Sequence, residues 1–358
     1  MKQDYYYLGF SLCAGIGSVR MQLLLHYFAD VQKAWFAKEK DLFASGIGKR
    51  ATLDIVRFRE TFDPVKYAHQ LAENDIGFIT LGTKYPKDLL DIPRAPFLFY
   101  TKGDRSLLFD PKKIAVVGTR KMTSYGETVT ESFTSALVQN GCTIVSGLAM
   151  GVDGVAHRTA LNCGGRTIAV LGSGVDVCTP MENFTLYKNI ITHGGLIISE
   201  SVPGTYPVKG SFPSRNRIIA GLSNAVLVPE GAVDSGSLIT ANYAFDFLRK
   251  VYAIPGPITS RVSHGPYELV KKGALFVIHP DDMLRDLEMD IASNYKKKIV
   301  LDNNEMQQIL DLLQEGSMYP DDIIRKIQLP PQQIGGLLSL MEMNGYIKML
   351  STGEVSLN

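Results

Sequence analysis

The chain is 358 residues long, 45% hydrophobic and 20% charged, with a formal net charge of +1. That length accommodates two or three domains with buried cores, and the composition is that of an ordinary globular protein. Near-neutrality excludes a polybasic protein that coats nucleic acid non-specifically, so any anion site must be local.

The charge is uneven along the chain. Residues 112–285 hold 16 Lys/Arg against 12 Asp/Glu, whereas residues 298–358 hold 4 against 8. A basic middle and an acidic tail predict anion binding in the centre and a different task for the C-terminal segment. Cys13, Cys142, Cys163 and Cys178 form no CxxC pair. They read as small thiols in a reducing, cytoplasmic compartment, not as disulfides or zinc ligands. No stretch approaches the ~18 apolar residues of a membrane span, and Met1–Tyr7 has no apolar leader, so no membrane partner is expected.

Residues 1–80 read as a helical domain of the SAM or helix-hairpin-helix kind. Cys13-Ala-Gly-Ile-Gly-Ser18 leads into the amphipathic run Val19–Phe28, and Ala44-Ser-Gly-Ile-Gly-Lys49 leads into Arg50–Phe58. Glycines there permit a tight turn and close backbone approach, which serves either a duplex-DNA phosphate or a turn with no ligand. Residues 81–111 form a proline-marked connecting segment with a strand at Phe97–Tyr100.

Between 112 and 285 the pattern becomes regular. Apolar, β-branched runs at Ile114–Val117, Thr143–Val145, Thr167–Leu171, Leu196–Ile198, Ala225–Val228, Val251–Ile254 and Leu275–Ile278 alternate with helical segments. Continuous apolar strands separated by helices predict an α/β domain: an extended, Rossmann-like, mostly parallel sheet with helices on both faces. A charged run ending in Lys298 marks a linker over 286–298. Residues 299–358 then read as three short helices and a hairpin, a winged-helix domain. Its last helical stretch, Pro331–Asn344, carries no Lys or Arg. Because electrostatics drives most non-specific DNA affinity, this acidic module reads as a protein-interaction or packing unit.

Ligands of such sheets bind at the carboxyl ends of strands, and here those ends are decorated. The first carries Gly118-Thr119-Arg120. The second carries Ser146, Gly147, Gly151 and Asp153, and the third Gly172-Ser173-Gly174. The fifth leads to Ser235-Gly236-Ser237 before a helix. Glycines and small hydroxyls at several helix N-termini on one edge build concave sets of N–H donors, an anion site. Lys209, Phe212, Arg215, Asn216 and Arg217 are expected on the same edge, with Pro213 in the first turn of a helix and the arginines projecting from its N-terminus. A lysine, an aromatic ring and two guanidiniums in nine residues supply charge for phosphates and a flat face for a base, the needs of a single-stranded nucleic acid.

Other chemistries find less support. Gly172-Ser173-Gly174 opens a GxGxxG whose last position is Val177, and no Walker GxxxxGK[ST] occurs. Asp153 and His157 share a helix face, with Asp176 and Glu200 candidates for their neighbourhood, but no nucleophile or third ligand joins them. Asp153 and His157 read as structural or helix-capping hydrogen-bonding groups, Asp153 standing at a helix start, and no catalytic, metal or cofactor set is expected.

The motifs Val116-Val-Gly-Thr-Arg120, Ser146–His157, Gly172–Asp176, Phe212–Ser223 and Ser235–Ala241 together resemble the DprA/Smf (DNA processing protein A) family, in order and spacing and across essentially the whole chain. The resemblance implies a dimeric single-stranded-DNA-binding protein without established catalysis, which protects incoming DNA in natural transformation and loads the RecA recombinase. It places the family's phosphate-pocket arginine on Arg120, its lysine and base-stacking phenylalanine on Lys209 and Phe212, and its basic helix start on Arg215 and Arg217. Two departures stand out: Thr179 replaces the tyrosine of the family's Tyr-Pro-x-Glu-Asn segment, and Val228-Pro-Glu-Gly231 replaces the commoner Val-Glu-Ala. The competing class is a nucleotide phosphoribohydrolase on the same fold, but Ser235–Ala241 lacks the glutamate of that signature.

Overall fold

The computed structural model describes residues 3–208, 210–289, 303–313, 316–350 and 353–357. It divides into two compact units, Met1–Ala292 and Ser293–Asn358.

The first unit opens with six helices: α1 (Asp4–Leu12), α2 (Ser18–Phe28), α3 (Val31–Phe36), α4 (Glu39–Ala44), α5 (Lys49–Thr61) and α6 (Pro64–Glu73). The two Gly-Ile-Gly segments make the α1–α2 and α4–α5 turns, with Gly15, Gly46 and Gly48 at positive φ. Residues 77–80, read from sequence as part of the helical stretch, instead form strand β1 (Gly77–Thr80). Four residues with three of them half-exposed give no apolar run for sequence reasoning to detect.

The sheet continues with β2 (Leu98–Gly103), β3 (Lys113–Val116), β4 (Thr143–Ser146), β5 (Thr167–Val170), β6 (Leu196–Ser199), β7 (Ala225–Val228), β8 (Lys250–Ala253) and β9 (Leu275–Phe276). Its spatial order is β1-β2-β6-β5-β4-β3-β7-β8-β9. β3 to β9 run parallel to one another, with Ala115 opposite both Val145 and Val226. β1 and β2 form an antiparallel edge. The central strands are buried end to end, which is why their sequences are continuously apolar.

The helices between strands are α7 (Lys87–Leu90), α8 (Ser124–Gln139), α9 (Val152–Asn162), α10 (Phe184–Thr192), α11 (Ser211–Leu222), α12 (Gly236–Asp246), α13 (His264–Lys271) and α14 (Pro280–Asp286). α8, α9, α10 and α14 pack among themselves in one layer, and α7, α11, α12 and α13 in another. One core cluster fuses the N-terminal helices to the sheet: Phe10, Trp35 and Leu42 share it with Tyr100, Ala169 and Ile197. Buried side chains of this size each contribute roughly 1.5–3 kcal/mol, so the helical part is bound firmly to the sheet that carries the site.

The second unit comprises α15 (Asn304–Leu313), α16 (Pro320–Ile327), α17 (Pro331–Met343) and the antiparallel pair β10 (Ile347–Met349) and β11 (Val355–Leu357). It is a winged-helix domain closed around Ile309, Ile323, Ile334, Met341 and Val355. From residue 290 onward, the linker expected at 286–298 lies outside the described residues.

Candidate functional site

β3 is where the topology switches: the chain moves from it through β4, β5 and β6 on one side and places β7, β8 and β9 on the other. A ligand crevice is expected outside the carboxyl ends of the strands at such a point. A cleft of about 500 Å3 lies there. It is lined by Gly118, Thr119, Arg120 and Lys121 after β3, by Phe212, Arg215 and Asn216 of α11, by Asp234 to Ser237 before and at the start of α12, and by Arg261.

The loop after β3 is pinned from both sides by one residue. Thr119 N–H donates to the Glu230 carbonyl at 2.8 Å. The buried Glu230 carboxylate accepts from Thr123 N–H at 2.9 Å and from its hydroxyl at 2.6 Å. Gly118 must lack a side chain, because a Cβ would stand 2.5 Å from Val152 Cγ2 and 2.7 Å from the Glu230 carbonyl. Held this way, Arg120 is exposed with its guanidinium 5.4 Å from the centre of the Phe212 ring. Lys121 is exposed beside it. Among the described residues neither enters an ion pair.

The opposite wall is the N-terminus of α12. The Ser235 hydroxyl accepts from Ser237 N–H at 3.3 Å and lies 2.8 Å from the Ser237 hydroxyl. A Cβ on Gly236 would touch nothing, so this helix start is open to a ligand at the positive end of the helix dipole. Arg261 bridges to Asp234 at 3.1 Å on the rim.

Arg215 does not project as expected; it is buried. It donates to the carbonyls of Gly147, at 2.7 Å, and Val170, and its Nε donates to Asn216 Oδ1 at 3.1 Å. Asn216 Nδ2 then reaches the Gly236 carbonyl at 3.0 Å. Burial pulls Arg215 down to about 10, with neighbouring Asp153 opposing the shift, so the side chain stays cationic. It straps the ends of β4 and β5 to α11, and Gly147 has no Cβ because one would stand 2.3 Å from the guanidinium.

Asp153 is likewise a strut. The N-cap of α9 is Gly151, not Asp153, and the Asp153 carboxylate accepts from Gly147 N–H at 3.1 Å. Burial pushes its carboxyl upward, opposed by Arg215 and by the N–H groups of Ala149, Gly147 and Gly118. His157 lies 2.7 Å from the Thr167 hydroxyl, which itself donates to the Ile144 carbonyl at 2.9 Å, so Nδ1 is the donor. Burial lowers its pKa to about 3, which keeps the ring neutral. No group of three or more His, Cys, Asp or Glu placed to hold a metal occurs among the described residues.

Three expected contributors sit behind the cleft. Arg217 turns away and pairs with Glu200 at 2.5 Å, with only 10% of its side chain exposed. The reason is helical phase: two residues apart is about 200° around the axis, so Arg215 and Arg217 cannot share a wall. Ser146 is buried and donates to the Val116 carbonyl at 2.6 Å, tying β4 to β3. Gly151 backs onto the Arg120 loop, where a Cβ would meet the Thr119 carbonyl at 2.2 Å. Lys209 lies outside the described residues. Conversely, sequence reasoning passed over Lys121 and Arg261, although one is adjacent to Arg120 and the other follows a strand on the same edge.

With this geometry established, comparison with known proteins is specific. The family model described as DNA recombination-mediator protein A matches residues 78–288. The chain belongs to that family. The DprA winged helix domain model matches residues 301–352, and identifies the C-terminal unit. Protein Smf of Synechocystis is 38% identical over 290 residues, covering 80% of this chain and 73% of that protein. DNA processing protein DprA of Streptococcus pneumoniae is 44% identical over 211 residues, 59% of this chain and 74% of that one. Among solved structures, DprA from Streptococcus pneumoniae superposes with a TM-score of 0.70 at 35% identity, covering 79% of this chain and 97% of that one. The Helicobacter pylori DNA processing protein A, whose structure addresses its single-stranded DNA binding mode, gives 0.55 at 32%, covering 60% and 97%. As a DprA-family member the chain has a recombination-mediator role. No described helix is long and apolar enough to cross a membrane.

Proposed function

We propose that this chain binds single-stranded DNA in the β3–β7 cleft, and that it protects incoming strands and delivers them to the RecA recombinase as a dimer. The observation that carries the binding is the exposed Arg120–Lys121 pair, held beside Phe212 and opposite the open start of α12. Cations and helix N–H groups hold phosphates whatever the sequence, and an aromatic face accepts any base. A flexible single strand can bring both a phosphate and an unstacked base to such a cleft, which favours it over duplex. Protection and RecA delivery rest on family membership, as does dimerisation.

Titration of labelled single-stranded and duplex oligonucleotides side by side tests the reading. The single strand should bind more tightly, and Arg120→Ala should weaken it by about tenfold. Loss of one phosphate contact should also flatten the log–log salt slope by about 0.7. Equal affinity for duplex, or an unchanged slope in Arg120→Ala, would reject the site. Base release from nucleoside monophosphates would instead favour a phosphoribohydrolase.

A further inference from the structure

The antiparallel edge of the sheet carries a second cleft, of about 800 Å3, which has no residue in common with the site after β3. Its volume falls within the ~300–1,000 Å3 of small-molecule sites. Gly77 and Thr101 stand opposite each other across β1 and β2, so they share one face of the sheet, and Phe78 points to the other. The cleft touches all three and therefore wraps around the outermost strand, β1. One part of it is apolar, formed by Tyr5, Ala72, Ile76, Phe78 and Ile191, with the Tyr5 and Phe78 rings 6.3 Å apart. The other part holds Thr101 and Arg105.

Packing alone does not account for that polar part. Thr101 is 1% exposed, yet its hydroxyl has no hydrogen-bond partner, and a buried hydroxyl left unpaired costs stability. Arg105 is exposed, and among the described residues its guanidinium makes no ion pair or hydrogen bond. Gly77 is not at positive φ, so its backbone does not ask for glycine. Space does: a Cβ there would stand 2.8 Å from Thr101 Oγ1 and 3.0 Å from Arg105 Nη1. The hydroxyl and the guanidinium thus converge on one point, and a single oxyanion can accept from both. The planar fork of arginine matches a carboxylate or a phosphate. Of the carboxylates in the cleft, Asp4 accepts from the Thr80 hydroxyl at 2.6 Å, and Asp75 is exposed.

We propose that the β1 cleft is a binding site for a small anionic aromatic molecule, a phosphate monoester or a carboxylate carried on a planar ring. The ring packs against Tyr5 and Phe78, and the oxyanion is held by Arg105 and the Thr101 hydroxyl over Gly77. The site stands apart from the β3–β7 cleft, so this ligand and a nucleic acid can occupy the chain together. It goes beyond the single-strand reading and does not depend on it.

The test uses the full chain carrying Arg120→Ala, which disables the other cationic cleft, and three probes titrated by NMR: phenyl phosphate, 3-phenylpropionate and the neutral 3-phenylpropanol. At least one anion should bind saturably and about tenfold tighter than the alcohol, as a charge-assisted hydrogen bond supports. Which anion binds tighter tells a phosphate ligand from a carboxylate. Adding Arg105→Ala should erase that preference. Adding Thr101→Val exchanges the unpartnered hydroxyl for a methyl group, so the melting temperature should hold or rise, yet anion affinity should fall about fivefold. A merely structural threonine would leave affinity unchanged. In the otherwise wild-type chain, Arg105→Ala should leave single-strand affinity within about twofold, as expected of independent sites. Anions that bind no tighter than the alcohol, or anion affinity unchanged by Arg105→Ala or by Thr101→Val, would overturn the site.

Discussion

Arg217 shows how a residue type can be read correctly and its direction missed. Its position in a basic stretch pointed to a ligand contact, but its guanidinium meets Glu200 within the fold. Burial pushes the Glu200 carboxyl upward and Arg217 opposes that shift. Removing the arginine leaves a poorly hydrated carboxylate without its partner, which is costly for buried pairs. With Glu200 still 29% exposed on its side chain, the loss should be on the smaller side of that range. Arg217→Ala is expected to lower unfolding free energy by about 2 kcal/mol, read in urea titrations. At temperatures where it is folded, the variant should bind single strands within twofold of wild type. A tenfold binding loss in a fully folded Arg217→Ala protein would restore it to the ligand wall. That Arg120, Phe212 and the Ser235–Ser237 helix start share one cleft was legible because placement at the strand ends follows from residue order and topology. The buried roles of Arg215 and Arg217 were not, because helix start and phase decide which residues face the cleft.

At the level of elements, the parallel strands were legible because burial on both faces forces apolar runs. The antiparallel edge was not, since neither strand order nor a four-residue, half-exposed β1 leaves such a signal. The junction between β7 and the β3 loop was also hidden. Glu230 looked like a departure from a family pattern, yet it anchors Thr119 and Thr123 together. Gly126, in the first turn of α8, is what lets the carboxylate in: a Cβ there would lie 2.1 Å from Glu230 Oε2. Two hydrogen bonds prevent the carboxylate from swinging aside cheaply. Gly126→Ala should therefore strain or break them, at about 1–3 kcal/mol of stability, and displace the loop that positions Arg120. Urea unfolding and single-strand titration should both register the change. Wild-type values in both would mean that Glu230 is not the loop's anchor.

For the molecule as a whole, the division of charge and the division of structure coincide. The unit from Ser293 onward has its own core around Ile309, Ile323, Ile334 and Met341. Its helix α17 offers glycines, Leu340 and Met343 where a duplex-reading helix would offer cations. The acidic balance of 298–358 opposes approach to any phosphate backbone. The cationic cleft, by contrast, is formed wholly within Met1–Ala292. Separating the two units should therefore separate their properties. A fragment ending at residue 292 should bind single strands within threefold of the full chain. The fragment from 293 should show its own unfolding transition, though a marginal one for so small a core, and should not retard duplex DNA at moderate salt. Duplex retardation by the C-terminal fragment would mean that a surface other than α17 carries nucleic-acid contacts. Loss of single-strand affinity in the 1–292 fragment would mean that the winged helix completes the site.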